Sequence, residues 1–121
     1  MVDVSVIIVN YNVRGLLENC INSVLDASKH LNIEIVIVDN NSFDGSVEHI
    51  CKGFGNNPHI KIIENKINLG FAKANNQGAK LAQGKYLLIL NPDTILQEDA
   101  IEKAISFYES EIGRASCRER V

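Results

Sequence analysis

This sequence predicts a three-layer, doubly wound α/β domain on a mainly parallel sheet, and three observations lead there. Short continuous apolar runs alternate with segments of helical spacing, the pattern of βαβ units whose sheet is buried on both faces. Three of the runs, Val6-Ile7-Ile8-Val9, Ile35-Val36-Ile37-Val38 and Leu87-Leu88-Ile89-Leu90, stop at polar clusters: Asn10-Tyr11-Asn12, Asp39-Asn40-Asn41-Ser42 and Asn91-Pro92-Asp93. The carboxyl ends of parallel strands line one edge of an open sheet, where ligands bind, so the three clusters are expected at one site. At 121 residues, 45% apolar and 22% charged, the chain has the size and composition of one ordinary globular domain.

The first strand is expected over residues 4–9. A helix follows over 14–29, because Leu16, Leu17, Cys20, Ile21, Val24 and Leu25 recur at spacings of three and four along one face. The second strand covers 34–38. Behind it, 41–46 is rich in turn and N-cap residues, and Val47, Ile50 and Cys51 mark a short amphipathic helix that Gly53, Gly55 and Asn56-Asn57-Pro58 end. The third strand is 60–64. The Asn68-Leu69-Gly70-Phe71 turn opens a helix over 72–83, with Gly84 as its expected C-terminal glycine. Residues 86–90 form the fourth strand, and 98–108 a last helix with Ala100, Ile101, Ala104 and Ile105 turned inward. No repeat or low-complexity linker interrupts this order, and right-handed crossovers between parallel strands then dictate the double winding.

No window approaches the ~18 apolar residues of a membrane helix, and no basic stretch precedes the first apolar run. The expected location is cytoplasmic, with membrane association left open for a full-length parent protein. Cys20, Cys51 and Cys117 are odd in number and form no C-x-x-C pair, which argues for incidental thiols over a disulfide framework or a zinc site. His30, His49 and His59 lack metal-ligand spacing. Residues 113–121 hold three of the four arginines and no apolar period, and resemble a vector-encoded tail; the natural domain is taken as 1–112. Those 112 residues carry nine Lys/Arg against fourteen Asp/Glu, a net charge of −5, so no basic face for nucleic acid is expected. A polyanionic ligand would need a cation or local amides to hold it.

Between the first strand and its helix, Asn10-Tyr11-Asn12-Val13-Arg14-Gly15 has one glycine where the dinucleotide fingerprint needs three, which makes NAD binding improbable. There is no G-x-x-x-x-G-K-[ST] triphosphate loop. A phospho-acceptor receiver domain would want an acidic pair where this chain has Asn10 and Asn12. Asp39 follows four β-branched residues, so its carboxylate belongs at the sheet edge, where it needs a donor or an ion; ribose hydroxyls or a pyrimidine imide would serve. Its plain alternative is a turn-forming Asp, although Ser42 and Asp44 are available to cap the next helix. Asp93 follows Asn91 and Pro92, and the proline's fixed φ holds that carboxylate beyond the strand end. One carboxylate with diphosphate oxygens is a common way to hold Mg2+ or Mn2+; a plain Asn-Pro-Asp turn is the alternative. Along 72–79, Ala72, Asn75, Asn76 and Ala79 share one side of a helix, a polar stripe flanked by alanines that suits close approach to the strand-1 loop or to a ligand. Lys73 is the nearest candidate cation for a phosphate.

Together these motifs resemble the N-terminal half of a family 2 glycosyltransferase of the GT-A fold, whose nucleotide-binding half is Rossmann-like. The matching stretches are 4–12, 37–46, 68–78 and 90–94, four motifs in order with βαβ spacing. The resemblance implies that Asn10 to Asn12 and Asp39 bind the nucleoside of a nucleotide sugar, and that the carboxylate ending strand 4 binds the metal bridging the diphosphate. On it, the candidate nucleotide-binding set is Asn10, Tyr11, Asn12, Asp39, Asn41, Gly70, Lys73, Asn75 and Asn91, with Asp93 as ligand to Mg2+ or Mn2+. The family's usual Asp-x-Asp is here Asn91-Pro92-Asp93, with a single carboxylate. That variant is similar to a subgroup including bacterial rhamnosyltransferases, which favours a dTDP-sugar over a UDP-sugar donor. The resemblance further implies inverting transfer to a glycan or lipid-linked acceptor in polysaccharide synthesis, with the general base in a half that follows strand 4. No catalytic residue is therefore assigned within this chain. Strand 4 is expected to present an open edge suited to a second copy. The rival reading is a non-catalytic α/β module that binds a nucleotide or a protein.

Overall fold

The computed structural model describes residues 2–111 and 119–120. Along the chain run β1 (Val4–Asn10), α1 (Arg14–Asp26), β2 (Ile33–Asp39), α2 (Ser46–Phe54), β3 (Ile60–Glu64), α3 (Phe71–Leu81), β4 (Tyr86–Leu90), α4 (Ala100–Glu111) and β5 (Glu119–Arg120). The strands form one sheet in the order β3-β2-β1-β4-β5, every pairing parallel. The expected α/β class and parallel sheet are thus present. Strand order reverses between β1 and β4, and at such a switch point the loops leaving the two strands diverge to opposite sides and open a crevice.

Strand side chains alternate between faces, and the two faces carry different helices. Val4, Val6 and Ile8 pack with Leu17, Cys20, Ile21 and Val24 of α1, Ile50 of α2 and Ile101 of α4. Ile7, Val9, Val36 and Val38 pack with Ala74 of α3. These are the three layers. Every residue of β1 and β2 is buried, as near-continuous apolar runs in a covered sheet require.

Several boundaries and faces differ from the sequence expectation. β1 and β2 each extend one polar residue further, because Asn10 and Asp39 are partners in the parallel register. α1 stops at Asp26, three residues early, where the Ser28 hydroxyl donates to the Val24 carbonyl (2.7 Å) and so replaces a helical bond. On α3 the buried residues are Ala74, Asn75 and Gly78, so the face toward the sheet is displaced from the expected one and Asn76 is exposed. Gly84 is no helix cap: Ala82 ends α3 in extended geometry, and Gly84 lies so close to β1 that a Cβ would sit 2.6 Å from the Ser5 amide nitrogen. On α4, Ile101 is buried while Ala104 is exposed, bordering an apolar cavity of about 190 Å³ between α4 and Tyr86 and Leu88 of β4.

The outer edge of β4 is not wholly open. Glu119 and Arg120 pair with Tyr86 and Leu87, leaving Leu88 to Leu90 without a strand on that side among the described residues. Backbone pairing needs no particular side chain, so even an Arg-rich segment can add to an edge. Cys117 and most of the 113–121 tail lie outside the described residues. No helix among the described residues is long and apolar enough to cross a membrane.

Candidate functional site

At the carboxyl edge, the loops after β1 and β2 are stitched to each other. Asn10 is fully buried and its Nδ2 donates to Asp39 Oδ1 (2.8 Å) and to Ser42 Oγ (3.2 Å). Asp39 Oδ2 accepts from the Ser42 amide (2.8 Å), so the plain turn-forming role of this aspartate is real, while Ser42 caps no helix. The Ser42 hydroxyl instead accepts from the Asn12 amide (2.9 Å), and Asn12 Oδ1 accepts from the Phe43 amide (2.8 Å). Asn12 and Asn41 have φ values of 54° and 65°, a left-handed conformation that asparagine tolerates better than most residues. Asp44 completes the stitching by accepting from the Arg14 and Ser46 amides (3.1 and 3.0 Å) and the Ser46 hydroxyl. Its slight burial opposes ionisation, but these hydrogen bonds outweigh that and hold its carboxyl below the usual range.

A second set of amides holds the turn before α3. The Asn40 amide donates to the Asn10 carbonyl (2.9 Å), and its side-chain Nδ2 donates to the Gly70 carbonyl (3.2 Å). Asn65 Nδ2 donates to Asn40 Oδ1 (3.0 Å) and Gln77 Oε1 (2.7 Å), while Gln77 Nε2 returns a bond to Asn65 Oδ1 (2.9 Å). Gly70, with φ 86° and ψ 168°, occupies backbone space essentially reserved for glycine. The turn is thereby pinned over the edge between β1 and β2.

The β4 side is different. Asn91 and Asp93 are exposed, and among the described residues neither side chain has a hydrogen-bond or ion-pair partner. Between this bare corner and the stitched loops lies a cleft of about 500 Å³, lined by Tyr11, Val13 and Leu16 after β1, Asn40 after β2, Asn68, Gly70 and Phe71 of the pinned turn and the start of α3, and Asn91, Pro92 and Asp93 after β4. It occupies the switch point. Tyr11 is 45% exposed and meets Phe43 edge-to-face with ring centroids 6.2 Å apart.

Of the sequence-predicted residues, Tyr11, Gly70, Asn91 and Asp93 come together on this cleft. Asn10, Asn12 and Asp39 stand behind its wall in the stitched network, and Asp39 and Asn41 border a separate hollow of about 230 Å³. Lys73 is exposed and Asn75 buried, and neither lines the cleft. Asn40, Asn65 and Gln77 are not singled out by the sequence and Ser42 only as a helix cap; the density of Asn at the ends of β2 and β3 and in α3 is the available signal. Among the described residues, no group of three or more His, Cys, Asp and Glu is placed to hold a metal ion, so Asp93 is a lone carboxylate. Cys20, beneath it on α1, is pushed up to about 11 by burial and then by the Asp93 charge, so it is a thiol at neutral pH.

The family model described as "Glycosyl transferase family 2" matches residues 5–115. An uncharacterized glycosyltransferase of Haemophilus influenzae is 33% identical over 106 residues, covering 88% of this chain and 32% of that protein. The minor teichoic acid biosynthesis protein GgaB of Bacillus subtilis is 34% identical over 109 residues, covering 88% of this chain and 12% of its own length. Among solved structures, S. aureus TarS in complex with UDP-GlcNAc superposes with a TM-score of 0.78 at 25% identity, covering 89% of this chain and 31% of that one. This chain therefore spans about a third, or less, of these proteins.

Proposed function

Because the chain belongs to glycosyl transferase family 2, we propose that it forms the donor half-site of an inverting glycosyltransferase that takes its sugar from a dTDP- or UDP-sugar. The observation that carries this reading is the cleft at the β1–β4 switch point, where one wall is prepared by internal hydrogen bonds and the facing corner carries side chains with no partner among the described residues. Prepared polar walls orient a ligand, whereas unpaired groups beside a cavity are free to bind one. The UDP-GlcNAc bound by the TarS relative supports a pyrimidine nucleotide-sugar donor. The Asn91-Pro92-Asp93 variant favours dTDP within that class.

In this reading Tyr11, Gly70 and Asn91 contact the donor directly. Asn10, Asn12, Asp39 and Asn41 shape the nucleoside wall: both Asp39 oxygens already accept hydrogen bonds, so its contribution is carried through the loops it holds. Lys73, on the first turn of α3, is left to meet a phosphate from outside the cleft, and Asn75 supports α3 from its buried face. Asp93 fits Mg2+ or Mn2+ only as one ligand among several, with diphosphate oxygens and water completing the shell. Such an ion would neutralise the nucleoside diphosphate as it departs. Transfer to a glycan or lipid-linked acceptor, in polysaccharide biosynthesis, belongs to the longer protein, with the general base outside residues 2–111. The net charge of −5 over residues 1–112 gives no footing for nucleic acid. The backbone of Leu88 to Leu90 supports edge pairing with a second copy, expected as a dimer by light scattering; a strictly monomeric species at high concentration would sink that assignment.

Calorimetric titration with UDP and dTDP, with Mn2+ and with EDTA, tests the reading. Binding strengthened by Mn2+ is expected, whereas a folded sample that binds neither nucleotide in either condition points to the non-catalytic alternative.

A further inference from the structure

The loop that carries Asn91 and Asp93 is exposed, yet it is tied at both ends to one turn of a buried helix. Within it, the Thr94 amide donates to the Asn91 carbonyl (3.0 Å), closing a turn with Pro92 second and Asp93 third. Beneath that turn, the same Asn91 carbonyl faces the Cys20 thiol, which donates to it at 3.6 Å. Further along, the Leu96 amide donates to the Ser23 hydroxyl (3.1 Å), and that hydroxyl donates to the Cys20 carbonyl (2.8 Å). Cys20 and Ser23 are both buried, three residues apart on the face of α1 that packs on the sheet. The strap from Asn91 to Leu96 thus has two anchors on a rigid element, and Asp93 lies between them.

We propose that Cys20 and Ser23 are positioning residues of the donor site, fixing the Asp93 carboxylate against the cleft through the two ends of the Asn91–Leu96 strap. This rests on the proposed donor reading. A lone carboxylate on an exposed turn has no second ligand beside it to set its geometry, so the backbone that carries it must do so. Groups that orient a ligating residue without touching the metal typically change its affinity by roughly 10- to 100-fold when removed. The hydroxyl is the stronger anchor, since an S–H donor is weak.

Nucleotide titration of Ser23→Ala and Asp93→Ala, singly and combined, with and without Mn2+, tests the assignment in the full chain, alongside amide hydrogen exchange. Ser23→Ala is expected to raise the Kd measured in Mn2+ about tenfold more than the Kd measured in EDTA. It should speed exchange at Leu96 while β1 amides stay protected, and have no further effect on Kd in the Asp93→Ala background. Cys20→Ala should shift the Mn2+-dependent Kd in the same direction by less. Equal loss with and without Mn2+, or full additivity with Asp93→Ala, overturns the positioning role and leaves Ser23 a packing residue. Wild-type affinity indifferent to Mn2+ overturns the ligand role of Asp93 and the positioning role with it, whereas a folded wild type that binds neither nucleotide in either condition overturns the donor-site reading instead; both outcomes are visible before any variant is made.

Discussion

Two polar pairs join β1 to β2 in register, Ser5 with Glu34 near the amino edge and Asn10 with Asp39 at the carboxyl edge, and they end in opposite ways. Around Glu34 the circle is closed. Its Oε2 accepts from the Ser5 hydroxyl (2.6 Å) and the Gln83 amide, its Oε1 pairs with Lys61 Nζ (2.9 Å), and Ser5 Oγ accepts from the Gly84 amide (2.8 Å). Around Asp39 both oxygens are engaged as well, but among the described residues Asn10 Oδ1 is buried without a partner, and across the cleft the Asn91 and Asp93 side chains have none either. Buried polar groups left unpaired are costly, and proteins retain them where a ligand or solvent completes them. The amino-edge pair therefore serves the fold, whereas on the proposed reading the carboxyl-edge pair serves the fold and the donor site together.

The largest expected effect is at the closed pair. Glu34→Ala strands the Ser5 hydroxyl and the Gln83 amide and should cost about 3 kcal/mol, because each unsatisfied buried group carries a penalty of roughly 1–3 kcal/mol. Lys61 adds little, since its side chain is 42% exposed. The melting temperature read by circular dichroism should fall by roughly 10 °C. Nucleotide affinity of the remaining folded protein should be unchanged; a loss of affinity matching the loss of stability would erase the distinction between the two edges.

Asp39→Ala comes next. It removes the acceptor for the Ser42 amide and one of two for Asn10 Nδ2, at about 2 kcal/mol. Unlike the amino-edge variant it should also weaken nucleotide binding about tenfold, with and without Mn2+, because on the proposed reading the wall it holds meets the nucleoside and not the ion. Binding that survives intact in the variant would place the nucleoside elsewhere.

What the sequence made legible follows from the same division. Apolar runs bounded by turn residues identify β1 to β4 and the helices between them; burial on both faces leaves β1 and β2 little freedom in composition, while the part-buried β3 and β4 keep runs of Ile and Leu between turns. The convergence of the three polar clusters was legible too, being a consequence of parallel topology. The wiring was not. Whether Asp39 points to a ligand or to Asn10 depends on a register pairing between strands 29 residues apart, and periodicity does not encode register partners. Gly84 was misread for a related reason: a glycine after a helix suits a C-cap and a backbone close approach equally, and only the position of Ser5 decides. Asn40 and Gln77 escaped because amides bind other amides without any fixed spacing in sequence.

A smaller, pH-dependent difference between the edges is also expected. Burial pushes the Glu34 carboxyl up, but the Gln83 amide, the Ser5 hydroxyl and Lys61 together outweigh it and leave it below the ordinary carboxylate range. A group depressed in the folded state stabilises the fold above its unfolded value and loses that contribution as pH falls through the folded one. Stability should therefore decline as pH drops below about 4, the unperturbed range of a glutamate, and Glu34→Gln should flatten the decline. An identical acid limb in Glu34→Gln and wild type would assign acid sensitivity to other carboxylates.

The smallest expected change in stability belongs to Asp93, and it sharpens the contrast most. The carboxylate is exposed and has no internal hydrogen bond or ion pair among the described residues, so Asp93→Ala should stay within about 0.5 kcal/mol of wild type in denaturant unfolding. The Mn2+-dependent gain in nucleotide affinity should nevertheless vanish, while affinity in EDTA is retained. A residue that costs nothing to the fold and everything to one ionic component of binding is what a corner left bare for a ligand requires. Should Asp93→Ala destabilise the protein by more than about 1 kcal/mol, or weaken binding equally with and without the ion, the β4 side would be a structural turn like its β2 counterpart, and the asymmetry between the two walls of the cleft would disappear.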